Sequence, residues 1–164
     1  SIEQVAKHMI DATSIRIFGM GVSGLVGEDL YYKLLRIGKT VFHNRDAHVQ
    51  LTYASNMKQG DVAVLISYSG ITSEVLELLD IAKKTGATTV VITKYAKNDF
   101  TSRADYVLHT STPEIDMRSG ATSSRIAQLT IVDVLFTAIA SKEYQNIETN
   151  LQSSYEICKP HKKK

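Results

Sequence analysis

Short apolar, β-branched segments alternate with segments of helical periodicity along most of this chain. The strand-like segments lie at 14–18, 40–43, 62–66, 88–93 and 106–109. A single helix-like segment separates each from the next, and such crossovers join parallel strands with right-handed chirality. The strands are mostly apolar throughout, as in a sheet covered on both faces. The pattern therefore predicts a three-layer α/β/α domain whose five parallel strands follow the flavodoxin-like order 2-1-3-4-5.

The flanks of this core divide the chain into three predicted parts. Residues 14–141 form the core domain, 1–13 an amphipathic linker or interface helix, and 142–164 a C-terminal helix with a basic tail. The last core helix, predicted from Ser119 to about Ser141, is apolar on more than one side, which indicates deep burial or sharing with a second subunit. A homodimer is therefore the minimum expected assembly.

Charge and cysteine content restrict the partners. The formal charge is +2, but Lys162, Lys163 and Lys164 supply three positive charges, and 2 − 3 = −1 remains for the rest. Such a body has no basic stripe for nucleic acid, so any contact with DNA requires another segment. Cys158 is the only cysteine, which agrees with a cytoplasmic location. No stretch is interpreted as a membrane span or signal peptide, and no membrane partner is predicted.

A hydroxyl-rich loop separates the third strand from the helix that begins at Ser73. It contains Ser67, Ser69 and Thr72, and Gly70 lets the backbone turn and approach a ligand closely. A helix N-terminus adds free backbone N–H groups and a partial positive charge, which suit a phosphate monoester. The same residues also suit plain helix capping by Thr72 or Ser73.

The loop after the first strand, residues 19–24, carries glycines at the G-x-G-x-x-G spacing of dinucleotide-binding proteins. That fingerprint also needs an acidic residue at the end of strand 2, and only Asp46, beyond the strand, could serve. NAD binding is thus the less favoured alternative, and no cofactor is predicted. Another alternative is a tight turn with Ser23 as a helix N-cap. Because strands 1 and 3 are predicted neighbours, both loops are expected at one edge of the sheet.

Together, the two loops resemble the sugar isomerase (SIS) domain, which binds phosphorylated sugars. The resemblance covers about residues 2–141. It implies that Ser23, Ser67, Ser69 and Thr72 hold the sugar phosphate. The rest of the predicted ligand-binding set consists of Gly21, Tyr68, Gly70 and His48.

A third segment, 118–129, is similar to the start of the last core helix in RpiR-type bacterial transcriptional regulators, and segments 32–38 and 46–50 also resemble that family. Those proteins join an N-terminal helix-turn-helix domain to a SIS domain that senses a sugar phosphate. The resemblance implies an effector-binding domain that meets DNA only through a domain outside this chain. Its ligand is expected to be a phosphorylated sugar or amino sugar. It also suggests that His48 contacts the sugar from a neighbouring subunit, the alternative being a surface histidine.

Enzyme activity is the main alternative. SIS isomerases usually carry a glutamate base near the start of the last core helix, where this chain has residues 123–125, Ser-Ser-Arg. Position 71, often glutamate in the family, is Ile71. No catalytic residue is therefore predicted, although Glu114 and Asp116 keep a phosphosugar isomerase open. A third hypothesis is an interaction domain with an empty pocket.

The remaining charged and metal-ligating side chains are assigned no ligand role. Arg118 and Arg125 could bind an anion, but pairing with nearby carboxylates such as Asp133 is favoured. The histidines are scattered, and no Cys/His ligand spacing occurs, so no metal site is predicted.

Overall fold

A computed structural model describes residues 1–111 and 122–159, apart from the side chains of Gln145 and Asn146. Its sheet has five parallel strands in the order β2-β1-β3-β4-β5, which confirms the predicted topology. The strands are β1 Ile15–Gly19, β2 Val41–His43, β3 Val62–Ile66, β4 Thr88–Lys94 and β5 Tyr106–Thr110. Because β1 and β3 are neighbours, the loops that follow them leave the same edge of the sheet.

Helices cover both faces of this sheet. In chain order they are α1 Ile2–Asp11, α2 Gly21–Arg36, α3 Ala47–Ser55, α4 Ser73–Lys84, α5 Asp99–Arg103, α6 Thr122–Lys142 and α7 Tyr144–Cys158. One core cluster joins α1, α2, α6 and α7 to one face of the sheet, and a second joins α3, α4 and α5 to the other. The three-layer architecture follows from these two clusters.

The central strand β3 shows why the strand sequences are apolar throughout. All five of its residues are buried. Successive side chains alternate between faces, so Val64 and Ile66 join the first cluster while Ala63 and Leu65 join the second. A strand buried on both faces has no polar side, which distinguishes it from the alternating strands of a half-exposed sheet.

The sequence predicted some of the helix N-cap residues correctly and others not. Asp46 caps α3, since its Oδ1 accepts a hydrogen bond from the Val49 N–H at 3.0 Å. Thr72 is the N-cap residue of α4, but its side chain makes no capping hydrogen bond. The capping role considered for Ser23 is wrong, because α2 begins at Gly21 after Met20 and Ser23 lies inside its first turn.

The sequence interpretation found no stretch suited to span a membrane, and helix α6 differs from it in this respect. Its 21 residues are long and apolar enough, by length and composition alone, to cross a membrane. Its buried side chains nevertheless pack inside the domain, and they are Ser124, Gln128, Val132, Leu135 and Ile139. Ile126 and Val134 are exposed, so the helix is apolar on more than one side, as expected. The predicted start at Ser119 lies outside the described residues.

Because of Asp105, which lies just before β5, we predict that the fold loses stability in acid. Its carboxylate accepts hydrogen bonds from the Thr89 N–H at 2.8 Å, the Thr89 hydroxyl at 2.7 Å and Lys83 Nζ at 2.6 Å. Burial raises the pKa of Asp105, but the hydrogen bonds from Lys83 and Thr89 outweigh it and hold that pKa below its ordinary value. The carboxylate therefore stabilises the fold above its unfolded-state pKa of about 4, and this contribution is lost as the pH falls through the lower folded-state pKa.

Asp105→Asn is consequently expected to lower the free energy of unfolding at pH 7 and to have a smaller effect at pH 3. Urea denaturation at both pH values measures this difference. Asp11→Asn, at an exposed position of α1, is the matched control. The interpretation is wrong if both variants change with pH to the same extent.

Candidate functional site

A cavity of about 290 Å³ opens where β1 and β3 end. Three segments line it: the start of α2, the loop between β3 and α4, and the beginning of α6. The lining residues are Met20, Gly21, Val22, Ser23, Ser67, Tyr68, Ser69, Thr72, Ser124 and Gln128. The cavity thus lies at the topological switch point, where open parallel sheets bind ligands.

The loop after β3, residues 67–72, presents its hydroxyls from a hydrogen-bonded turn. The Gly70 N–H donates to Ser67 Oγ at 3.2 Å, and Ser67 Oγ lies 3.3 Å from Thr72 Oγ1. Ser69 Oγ accepts a longer hydrogen bond of 3.5 Å from the Ile71 N–H. Ser67 is only 4% exposed. The turn is therefore held by its own hydrogen bonds, and Ser67, Ser69 and Thr72 all line the cavity.

Strand β4 holds this loop in place through hydrogen bonds to one of its carbonyl groups. The Tyr68 carbonyl accepts hydrogen bonds from the Lys94 N–H at 3.1 Å and from the Thr93 hydroxyl at 3.2 Å. Gly70 has φ +68°, and a Cβ atom there would lie 2.7 Å from Asn98 Nδ2. Gly70 is buried and supports the loop from outside the cavity lining.

A buried amide holds the end of β1 beside this loop. The Gly19 N–H donates to Gln50 Oε1 at 3.1 Å, and Gln50 Nε2 donates to the Gly19 carbonyl at 3.2 Å. This pair sets the point at which the chain turns into α2, where Ser23 faces the cavity. The sequence interpretation did not single out Gln50, because only the structure shows that its side chain is completely buried.

Helix α6 forms the third wall, although the predicted ligand-binding set included none of its residues. Ser124 and Gln128 are one turn apart, and they are 4% and 1% exposed. Gln128 Nε2 lies 3.3 Å from Ser23 Oγ, so this amide joins α6 to α2 at the cavity. Two polar residues at i and i+4 of an otherwise apolar helix face were the available signal.

Within the part of the chain that the structure describes, the lining residues carry no formal charge, and hydroxyl and amide groups supply the polar part of the cavity. Helices α2 and α4 begin beside it, and helix N-termini favour anions. At the start of α4, the Glu74 backbone N–H and the Ser73 hydroxyl hold the pKa of the Glu74 carboxyl below its ordinary value. A negative charge is thus stabilised at this helix end.

Other predicted residues lie away from the cavity. His48 is exposed on α3 and is not part of the lining, so its contact from a neighbouring subunit stays a prediction. Arg125 is also exposed outside the lining, and Asp133 pairs with Lys33 at 3.0 Å. Glu114, Asp116 and Arg118 lie outside the described residues.

The alternative ligands gain no support from the geometry. Asp46, which a dinucleotide would need at the ribose, is engaged in capping α3. Within residues 1–111 and 122–159, no three His, Cys, Asp or Glu side chains are grouped so that they could hold a metal ion.

The fold and cavity define an α/β domain with a polar, anion-compatible site at its switch point. The sequence model of the SIS domain family matches residues 8–138, and the chain belongs to this family. The predicted resemblance is thereby confirmed.

Two curated relatives are named as transcriptional regulators. The uncharacterized HTH-type regulator TTE0211 of Caldanaerobacter subterraneus subsp. tengcongensis is 40% identical over 156 residues, which cover 95% of this chain and 55% of the relative. The uncharacterized HTH-type regulator YbbH of Bacillus subtilis is 37% identical over 145 residues, which cover 88% of this chain and 51% of the relative. The chain spans about half the length of these relatives.

A solved structure extends the comparison to a bound ligand. The Vibrio vulnificus NanR protein, complexed with ManNAc-6P, superimposes with a TM-score of 0.90 and 29% sequence identity. The match covers 97% of this chain and 60% of the NanR chain. A protein with this fold is thus known in complex with ManNAc-6P.

Proposed function

We propose that this SIS domain is the sugar-phosphate-sensing, effector-binding domain of a cytoplasmic HTH-type transcriptional regulator. The observation that carries the proposal is the cavity at the switch point, whose lining includes Ser23, Ser67, Ser69 and Thr72. These hydroxyls come from loop 67–72 and from the first turn of α2, which are far apart in sequence. The relatives named as regulators support the sensing role.

In the proposed complex, the phosphate lies between loop 67–72 and the first turn of α2. Ser67, Ser69, Thr72 and Ser23 donate hydrogen bonds to its oxygens, and the N-termini of α2 and α4 stabilise its charge. Ser124 of α6 then faces the sugar. The ligand class is a phosphorylated sugar or amino sugar, and the ManNAc-6P bound by NanR supports the latter.

Signal transmission uses helix α6, which lines the cavity and packs against α1. Val5, Ala6 and Met9 of α1 are completely buried in the same core cluster. In the full-length regulator, α1 would lead to an N-terminal DNA-binding domain. A ligand that prefers one arrangement of α6 and α1 would thereby change the affinity for DNA.

A homodimer is part of the proposal. Exposed apolar side chains lie on α2 and on α6, the two helices that pack together, and they are Val22, Leu25, Tyr32, Leu35, Ile126 and Val134. Covering such a surface with a second copy removes apolar area from water.

An aldose–ketose isomerase is the second candidate, because Glu114 and Asp116 lie just before α6 in the sequence. Among residues 1–111 and 122–159, the lining includes no carboxylate that could act as a base. The proposal is therefore binding without turnover.

Calorimetry with glucose, glucosamine and N-acetylmannosamine 6-phosphates, and with the same sugars lacking phosphate, tests the proposal. We expect at least one phosphorylated sugar to bind about 100-fold more tightly than its unphosphorylated form, since several hydrogen bonds to a charged group are gained.

Nuclear magnetic resonance of the same samples follows the sugar over time and is expected to show no interconversion. Aldose–ketose conversion that disappears in Glu114→Gln would support the isomerase instead. If no phosphosugar in a wider hexose 6-phosphate panel binds, the proposed function is wrong.

A further inference from the structure

Gln128 combines a polar side chain with nearly complete burial. It lies on α6, is 1% exposed, and lines the cavity. Burying an amide in a core is unfavourable unless its groups find partners. The partner of its Nε2 atom is Ser23 Oγ at 3.3 Å, on a helix 105 positions earlier in the sequence. This contact between α6 and α2 therefore bears on how the Ser23 hydroxyl is oriented.

The chemistry of the two groups determines the direction of this hydrogen bond. An amide NH₂ group can only donate, so Ser23 Oγ accepts. A serine hydroxyl has one proton, and that proton is therefore left for a second acceptor. Ser23 lines the cavity beside loop 67–72, where the proposed phosphate oxygens lie. The amide thus prepares Ser23 as a donor for an anion.

We propose that Gln128 is a positioning residue for the bound phosphate, which it serves by orienting the Ser23 hydroxyl toward the anion. This inference rests on the proposed function and adds a residue that recognises no part of the ligand by itself. A glutamate at this position would reverse the arrangement. Its carboxylate would accept the Ser23 proton and place a negative charge beside the phosphate site.

Two substitutions separate this role from simple packing. Gln128→Met has a similar volume without a donor, and Gln128→Glu has a similar shape with an acceptor in place of the amide. With inorganic phosphate as the probe, Gln128→Met is expected to bind about 5-fold more weakly, the effect of one ordinary hydrogen bond. Gln128→Glu is expected to bind more than about 10-fold more weakly at pH 8.

The pH profile distinguishes a changed hydrogen bond from lost packing as the cause of weaker phosphate binding. Lowering the pH protonates the carboxylate introduced by Gln128→Glu and gives it a proton to donate, so the affinity of this variant relative to the parent protein at the same pH should recover. Gln128→Met should show a constant ratio to the parent across that range. Loss of packing alone would make both ratios independent of pH, and that result would overturn the inference.

A double-mutant cycle supplies a second test if Gln128→Glu does not fold. In a Ser23→Ala background, Gln128→Met should change phosphate affinity less than about twofold, because the hydroxyl that it orients is gone. A full effect of about 5-fold in that background would overturn the inference while leaving the proposed function intact. If the parent protein binds neither inorganic phosphate nor any phosphosugar, the proposed function itself fails.

Discussion

Replacing Ser67 with alanine is expected to weaken sugar-phosphate binding by about 10- to 150-fold, the effect of losing one hydrogen bond to a charged group. Ser67 is the central hydroxyl of loop 67–72, since it accepts the Gly70 N–H and lies within hydrogen-bond distance of Thr72. Removing it takes away a donor to the anion and the acceptor that closes the turn. Calorimetry with the tightest-binding phosphosugar of the panel measures the loss.

Two further variants identify the cause of this loss. Thr72→Val removes a hydroxyl that makes no capping bond to α4 but lies 3.3 Å from Ser67 Oγ, so it should weaken binding while lowering the free energy of unfolding by no more than about 1 kcal/mol. Ser55→Ala, at an exposed position of α3, is the matched serine control and should bind normally. Unchanged affinity in both Ser67→Ala and Thr72→Val would show that the loop does not hold the phosphate.

The second large effect is expected from Gly70→Ala. Gly70 has φ +68°, a conformation that costs an L-residue about 1–3 kcal/mol. The new Cβ would also lie 2.7 Å from Asn98 Nδ2 and 3.0 Å from Thr93 Oγ1. Asn98 caps α5, and Thr93 donates to the Tyr68 carbonyl. The substitution therefore strains the turn and displaces two of its supports, with an expected total cost of about 2–4 kcal/mol.

Gly86→Ala separates the cost of the backbone conformation from the cost of the clash at the new Cβ atom. Gly86 has φ +81°, but a Cβ atom there meets nothing closer than 3.9 Å, so only the backbone cost applies. Urea denaturation should show a loss for Gly70→Ala that exceeds the loss for Gly86→Ala by about 1 kcal/mol or more. Phosphosugar binding should fall only in Gly70→Ala. Equal losses of stability together with equal binding would contradict the assigned role of the loop.

The arrangement of the sheet could be predicted because local chemistry determines it. Runs such as 62–66 and 88–93 are too apolar and β-branched for a helix or an exposed strand, and their single-helix connections require parallel neighbours. Asp46 could be identified as a cap from its side chain alone. The start of α2 could not, because Gly21 begins that helix and moves Ser23 from the cap position into the first turn.

The two glycine and serine loops of the cavity were also predictable, since their position after strands 1 and 3 implies a common edge. The α6 wall was not. Helical periodicity places Ser124 and Gln128 on one face but does not say whether that face meets solvent, core or cavity. The same holds for Gln50, whose role depends on the packing of α3 against the end of β1. Burial of an amide becomes visible only in three dimensions.

The described lining residues of the cavity carry no formal charge, which has a consequence for how a sensor of this kind would respond in a cell. Hydroxyls and backbone N–H groups recognise the part that every phosphate monoester shares with free inorganic phosphate. Under the proposed function the two anions compete by mass action for one place. The response threshold would then follow the ratio of effector to inorganic phosphate, so a phosphate-starved cell would respond to less of the same sugar.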